Sequence, residues 1–118
     1  MSGTRVTTQQ WLDWTILTIE GEFTLRRFAS IRPVLESLWE RGGVKVAVDL
    51  SQTKLIDSSA ITLLISAHGK LTEQGGSLVI LQPSQEISLV FSVVEFDRKI
   101  PIYQHRTIFE TEVETGVR

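Results

Sequence analysis

The sequence contains no cysteine, only three prolines and a single methionine among its 118 residues. The absence of cysteine excludes disulfides, thiolate-bound metals and cysteine nucleophiles. No apolar run approaches the roughly 18–20 residues that cross a bilayer, and the first residues lack the apolar centre of a signal peptide. We therefore expect a soluble cytoplasmic protein without direct membrane insertion.

The sequence also lacks an excess of charge of either sign. It has 12 Lys plus Arg and 14 Asp plus Glu, a net charge of −2 when both histidines are neutral. Nucleic-acid-binding domains usually carry a basic face, so this balance argues against a nucleic-acid partner. A chain of this length buries roughly two-thirds of its unfolded surface, which is enough for one core. We expect a single domain over residues 1–118.

The apolar pattern predicts β-structure first and then alternating helices and strands. Strands are predicted at residues 6–10 and 15–19, with Gly21 ending the second of them, and further strands at residues 44–50, 77–81 and 100–103. Residues 55–56 are a short apolar segment that leads into a helix. This order indicates an α/β sandwich with a mixed sheet of four to five strands and about four helices.

Apolar residues at spacings of three and four predict the helices. The first follows Ser30 as its N-cap, which leaves Pro33 in the first turn, where proline is tolerated. The second includes His68 on or beside its apolar face, which we interpret as packing. Ser84 caps the third, and the last helix lies around Phe109. The two Gly-Gly pairs, at 42–43 and 75–76, are typical of helix C-caps rather than phosphate-binding loops.

The third helix is apolar over a wide arc, which allows two interpretations. It is either a helix buried on most sides or a docking surface, for example in a homodimer. The arc consists of two adjacent stripes, one with Ile87, Val90, Phe91 and Val94 and the other with Leu89, Val93 and Phe96.

Few side chains suit catalysis. The histidines are His68 and His105, and the sequence has none of the usual zinc-protease, P-loop, dinucleotide-binding or serine-hydrolase motifs. We therefore expect no enzyme, no cofactor and no metal site. The basic pair Arg26-Arg27, beside Thr24, is explained equally well by a solvated loop and by an anion site.

Asp57-Ser58-Ser59 begins the second helix, directly after an apolar segment. Helix capping explains these residues, since Asp and Ser side chains accept the free amide protons of a first turn. A helix N-terminus is also a favourable place for a phosphate. Phosphorylation there would add about −1.5 to −2 charges beside Asp57. A hydrolase would need a base near Ser58, and this segment contains no histidine.

Five segments, in this order, resemble those of STAS domains, and among them the bacterial anti-sigma factor antagonists. They are residues 19–23 (Ile-Glu-Gly-Glu-Phe), 46–51 (Val-Ala-Val-Asp-Leu-Ser), 56–59 (Ile-Asp-Ser-Ser), 74–80 (Gln-Gly-Gly-Ser-Leu-Val-Ile) and 96–103 (Phe-Asp-Arg-Lys-Ile-Pro-Ile-Tyr). The resemblance covers nearly the whole chain and implies a STAS-type sandwich.

The resemblance also implies a function. Ser58, after the motif aspartate Asp57, matches the family's phospho-acceptor. Its unphosphorylated form would bind an anti-sigma factor with serine kinase activity, phosphorylation would end that complex, and a PP2C-type phosphatase would restore it. The acceptor domain is not itself an enzyme. Around Ser58, the resemblance assigns partner binding to Thr24, Arg26, Asp57, Ser59 and Ala60.

Three residues depart from the family pattern. Ala60 stands where the family often has glycine, Thr24 where it often has aspartate, and Glu95 where it has glycine after the third helix. The first two favour an alternative function: a constitutive STAS subunit of a larger assembly, such as a lipid-transport ABC complex or a stress-sensing particle.

Overall fold

The computed structural model describes residues 3–118, and its first feature is an antiparallel hairpin. Strands β1 (Arg5–Trp11) and β2 (Trp14–Phe23) pair from Arg5 opposite Glu20 to Trp11 opposite Trp14. The β-branched residues at 15–19 suit a pleated, packed surface. The predicted amino-terminal hairpin is therefore present, with a tight turn at positions 12–13.

Strand β2 does not end at Gly21, contrary to the sequence prediction. Gly21 has a φ of 106°, and the strand register shifts between Gly21 and Glu22. A side chain at this position would place its Cβ 2.8 Å from the carbonyl oxygen of Gly3. Gly21 therefore continues the strand in a conformation that favours glycine, close to the Gly3 backbone. From Gly21 onward, β2 pairs with β4 (Thr53–Ile56), in which Lys54 is the extra residue at the register shift. The sequence pattern showed the end of this strand only as a short apolar segment that leads into a helix.

The other elements follow in the predicted alternation. They are α1 (Phe28–Arg41), β3 (Lys45–Asp49), α2 (Ser58–Glu73), β5 (Ser77–Leu81), α3 (Gln85–Val93), β6 (Ile102–Tyr103) and α4 (Arg106–Glu114), with 3₁₀ turns at Leu25–Arg27 and Phe96–Arg98. The sheet order is β1-β2-β3-β5-β6, with β4 beside the end of β2, and only the β1–β2 pairing is antiparallel. The predicted mixed α/β architecture is confirmed, with six strands because β4 joins the sheet. Within residues 3–118, no helix has both the length and the apolar character needed to cross a membrane.

Both faces of the central strands are buried. Val46 and Val48 of β3 belong to the main core, which includes residues of α1, α2 and α3. Ala47, on the opposite face, belongs to a smaller cluster with Trp14 and Phe109. The rings of Trp14 and Phe109 pack edge-to-face, with 4.9 Å between their centroids. The second face is buried because α4 supplies Phe109 to cover it.

Helix α1 begins three residues earlier than predicted. A 3₁₀ turn leads into Phe28, so Ser30 is inside the helix rather than its N-cap, and Pro33 lies beyond the first turn. Pro33 has no amide hydrogen to donate to the carbonyl group of Ala29. Both residues are exposed, so water can hydrate that carbonyl group, and the helix tolerates the proline.

Helix α3 is capped as predicted, since the Ser84 side chain accepts a hydrogen bond from the Ile87 amide at 3.1 Å. Broad burial of this helix was the wrong interpretation. Its buried residues are Ile87 and Phe91, whereas Leu89 is 66% exposed. Of the second predicted stripe, only Phe96 is buried, stacked on Phe91 at 4.2 Å between ring centroids. The helix packs at the β6 edge of the sheet, and its outer face meets solvent.

Candidate functional site

The candidate site forms where β2 and β4 end side by side. The two strands are parallel, and their last residues, Phe23 and Ile56, are register partners. The carboxyl ends of parallel strands meet at one edge of the sheet. The segment that begins with Thr24 therefore lies beside Asp57, although the two are distant in the chain.

Asp57 joins these two segments. Its Oδ1 accepts a hydrogen bond from the Ala60 amide at 3.0 Å, which makes it the N-cap of α2. Its Oδ2 accepts another from the Leu25 amide, also at 3.0 Å. The capping explanation of Asp57 is therefore confirmed. The same carboxylate also holds the 3₁₀ turn that follows β2 against the start of the helix.

Ser58 is the first residue of α2 and is exposed, while Ser59 is half-buried. Both border a depression of about 340 Å³ between α1 and α2, whose lining includes the cationic residues Arg32 and Lys70. The unpaired amides and the dipole at a helix N-terminus favour negative charge. The position of Ser58 thus suits a group that carries a phosphate.

A second depression, of about 540 Å³, lies on the other side of Leu25. It is lined by Glu22, Thr24, Leu25, Arg26, Leu55 and Asp57. Leu25 borders both depressions and is 62% exposed, and Leu55 is 52% exposed. Exposed apolar side chains grouped beside polar ones mark surfaces that bind other proteins.

The predicted partner-binding residues differ in how far their side chains are exposed. Arg26 is exposed on the 3₁₀ turn. Thr24 is only 7% exposed, and its hydroxyl group has no hydrogen-bond partner within residues 3–118. The side chain of Ala60 is wholly buried in the main core. A methyl group there cannot hinder a partner, so Ala60 is corrected to a core residue.

Sequence reasoning missed the two leucines of this surface. Leu25 is an apolar residue between the polar Thr24 and Arg26, and Leu55 directly follows the charged Lys54. That contrast was the available signal. A short strand was needed to place Leu55 at the site, and β4 was not predicted.

The histidines lie apart from Ser58 in the fold. His68 follows it by ten residues on the same helix, about 15 Å along the axis. It is half-buried, and this burial lowers its pKa. His105 stands before the first residue of α4, on the carboxyl-terminal segment. In the part of the chain that the structure describes, no cluster of three or more His, Asp or Glu side chains could hold a metal ion.

Comparison of the sequence with protein families matches one model, described as the STAS domain, over residues 5–113. A Thermotoga maritima protein described as a candidate anti-sigma factor antagonist is 24% identical over 70 residues. The matched segment is 59% of this chain and 62% of that relative, so it spans less than two-thirds of the relative's length.

Solved structures of low sequence identity share the fold. A Mycobacterium paratuberculosis anti-sigma factor antagonist superposes with a TM-score of 0.85 at 13% identity, covering 95% of both chains. The crystal structure of a candidate anti-sigma factor antagonist from Thermotoga maritima superposes with a TM-score of 0.84 at 21% identity. This match covers 92% of this chain and 94% of the Thermotoga chain. The phosphorylated form of the Bacillus cell fate determinant SpoIIAA superposes with a TM-score of 0.67 at 18% identity. This match covers 96% of this chain and 99% of the SpoIIAA chain.

Proposed function

The chain belongs to the STAS domain family, and on that premise we propose that it is an anti-sigma factor antagonist switched by phosphorylation of Ser58. In its unphosphorylated form it binds an anti-sigma factor that has serine kinase activity, and so releases a sigma factor for transcription. The kinase phosphorylates Ser58 and ends the complex, and a PP2C-type phosphatase restores it. This exchange takes place in the cytoplasm.

One observation carries the proposal: the exposed Ser58 begins α2 directly after the capping residue Asp57. A phosphate on this hydroxyl group would add about −1.5 to −2 charges. The helix N-terminus tolerates that charge, because its free amides and dipole stabilise an anion. The fold would therefore survive the modification, while the surface around it would change strongly.

The exposed leucines explain why such a change would release a partner. A partner that covers Leu25 and Leu55 brings its own surface over Ser58, since Leu25 and Ser58 border the same depression. Covering a phosphate removes it from water at a high cost unless a cation pairs with it. Asp57 adds a second negative charge at the same point. The phosphorylated form should therefore lose much of its affinity.

The proposed role is that of a binding module, not a catalyst. His68, the histidine of α2, lies about 15 Å along the helix from Ser58, too far to accept its proton directly. Turnover of acyl or phosphate esters that disappears in Ser58→Ala would contradict this role.

Titration calorimetry with the anti-sigma kinase that co-purifies with the protein tests the switch. Wild type and Ser58→Ala should bind alike, and Ser58→Asp should bind about ten-fold more weakly or worse. Ser37→Asp is the matched control, because Ser37 is an exposed serine in the body of α1. Equal affinities for wild type and Ser58→Asp would contradict the proposal.

A further inference from the structure

The depression between α1 and α2, which Ser58 borders, contains two cations without a role in the proposed function. They are Arg32 on α1 and Lys70 on α2, and among residues 3–118 no carboxylate lines this depression. The neighbouring depression, on the other side of Leu25, has two carboxylates beside Arg26. The depression beside Ser58 is therefore the more positive of the two.

Helices α1 and α2 lie side by side and run in the same direction. At their start, the Leu25 amide donates to the Asp57 carboxylate at 3.0 Å. At their far end, the Lys70 ammonium lies 5.7 Å from the centroid of the Trp39 ring. The two contacts are separated by nearly the same number of positions on both segments, so the helices stay in step along the depression.

Arg32 is the cation of this depression that lies closer to Ser58. Counted from the hydrogen bond between Leu25 and Asp57, it lies six positions farther along than Ser58, about 9 Å in axial distance. Long side chains on a helix point back toward its N-terminus, and for α1 this is the end at which Ser58 stands. A phosphate lengthens the serine side chain toward the arginine. Lys70 lies about 18 Å along α2 from Ser58, which is too far.

The present partner of Arg32 is one that a phosphate can replace. The Nε atom of Arg32 donates to the Glu36 carboxylate at 2.8 Å, one turn farther along the same helix. These side chains are 53% and 39% exposed, and such exposed pairs contribute little to stability. A phosphate carries more charge than a carboxylate and has three strong acceptor oxygens, which suit the planar donors of a guanidinium.

We propose that a phosphate on Ser58 is bound within the same chain by Arg32, which leaves Glu36 and closes over the depression. This inference rests on the phosphorylation proposed above. One guanidinium offsets about half of the phosphate charge, so the site stays negative. The arginine also crosses the depression that a partner covering Leu25 would enter. Phosphorylation thus changes the shape of the docking surface as well as its charge.

Phosphorus NMR of the full chain tests this contact, with phosphoserine incorporated at position 58 during translation so that no kinase is needed. A nearby cation favours the dianion, so it lowers the second pKa of the phosphate below its usual value of about 6. Arg32→Gln should raise this pKa by about half a pH unit or more. Glu36→Gln should lower it further, because it removes the competing carboxylate.

Two cations near Ser58 provide matched controls. Lys70→Gln removes a charge from the same depression, and Arg26→Gln removes one from the neighbouring depression. Both variants should keep a phosphate pKa close to that of the unsubstituted chain. The same pKa in Arg32→Gln and the unsubstituted chain, or a rise in either control as large as that in Arg32→Gln, would overturn the proposal.

Urea denaturation at pH 7.5 separates phosphate binding from a purely structural role of Arg32. Arg32→Gln should lower the urea midpoint of the phosphorylated chain more than that of the unphosphorylated chain, which loses only the exposed pair with Glu36. Equal losses would contradict the contact. The switch itself fails if Ser58 carries no phosphate in the host, whereas a failed contact with Arg32 leaves the switch intact, so the two failures are distinguishable.

Discussion

The Oδ2 atom of Asp57 accepts a hydrogen bond from the backbone amide of Leu25 at 3.0 Å, across 32 positions of the chain. The other oxygen of the same carboxylate caps α2. One side chain thus fixes both the helix that begins with Ser58 and the turn that presents the exposed Leu25. The proposed phosphorylation site and the adjoining apolar surface share this support.

Asp57→Ala should lower the free energy of unfolding by about 1–2 kcal/mol, because it removes an N-cap and a second charge-assisted hydrogen bond. Urea denaturation measures this loss. Ser84→Ala, which removes the N-cap of α3, should cost about 1 kcal/mol. Hydrogen exchange separates the two variants: the Leu25 amide should exchange faster in Asp57→Ala only. Equal exchange in both would show that Asp57 does not hold the turn.

Leu25→Ala should weaken binding of the anti-sigma kinase by about 1 kcal/mol or more, since a side chain at the centre of an interface contributes that much. Its folding stability should hardly change, because the side chain is exposed. Leu12 is a matched control with the same exposure of 62%, in the β1–β2 turn. Titration calorimetry on Leu12→Ala should return the wild-type affinity, and a similar loss in both variants would refute the docking role of Leu25.

Glu95→Gly should raise the free energy of unfolding by up to about 1 kcal/mol. Glu95 has a φ of 55°, in the left-handed region that disfavours residues with a Cβ. Glycine removes that strain, although it adds entropy to the unfolded chain. Thermal denaturation measures the change. A melting temperature below that of the wild type would show that Glu95 is not strained.

The stability of the protein should fall as the pH drops from 7.5 to 5.5, partly because of His68. Burial lowers its pKa below the ordinary value of 6.5, so the unfolded chain binds the proton more readily than the folded one. The stability due to neutral His68 is therefore complete above pH 6.5 and is lost as the pH falls toward the folded pKa. Urea denaturation at the two pH values should show a smaller drop in His68→Gln. An undiminished drop in His68→Gln would contradict this role.

Local sequence patterns predicted most elements of this fold. Alternating and helical spacings located the β1–β2 hairpin, three further strands and four helices, and the helix caps Asp57 and Ser84 were recognised from their side-chain chemistry. Gly21 was misinterpreted, because a glycine that ends a strand and one through which a strand continues have the same local pattern. Only the tertiary pairing with β4 distinguishes them.

The site was predictable in its centre and less so at its borders. Ser58 and Asp57 are neighbours in the chain, so a motif identifies them together. Whether a side chain faces the core or the surface depends on packing between distant elements. Ala60 faces inward for that reason, and Leu25 and Leu89 face outward. The apolar character of α3 likewise allowed two interpretations until the structure showed which residues it leaves exposed.

The most direct test of the phosphorylation switch is mass spectrometry of the protein purified from its own host, during growth and under stress. Trypsin cleavage after Lys54 and Lys70 releases residues 55–70, which contain four hydroxyl side chains, so fragment ions must locate the phosphate. We expect phosphate on Ser58, and none on that peptide in Ser58→Ala. A peptide without phosphate in every condition would contradict the switch and favour a constitutive subunit of a larger assembly.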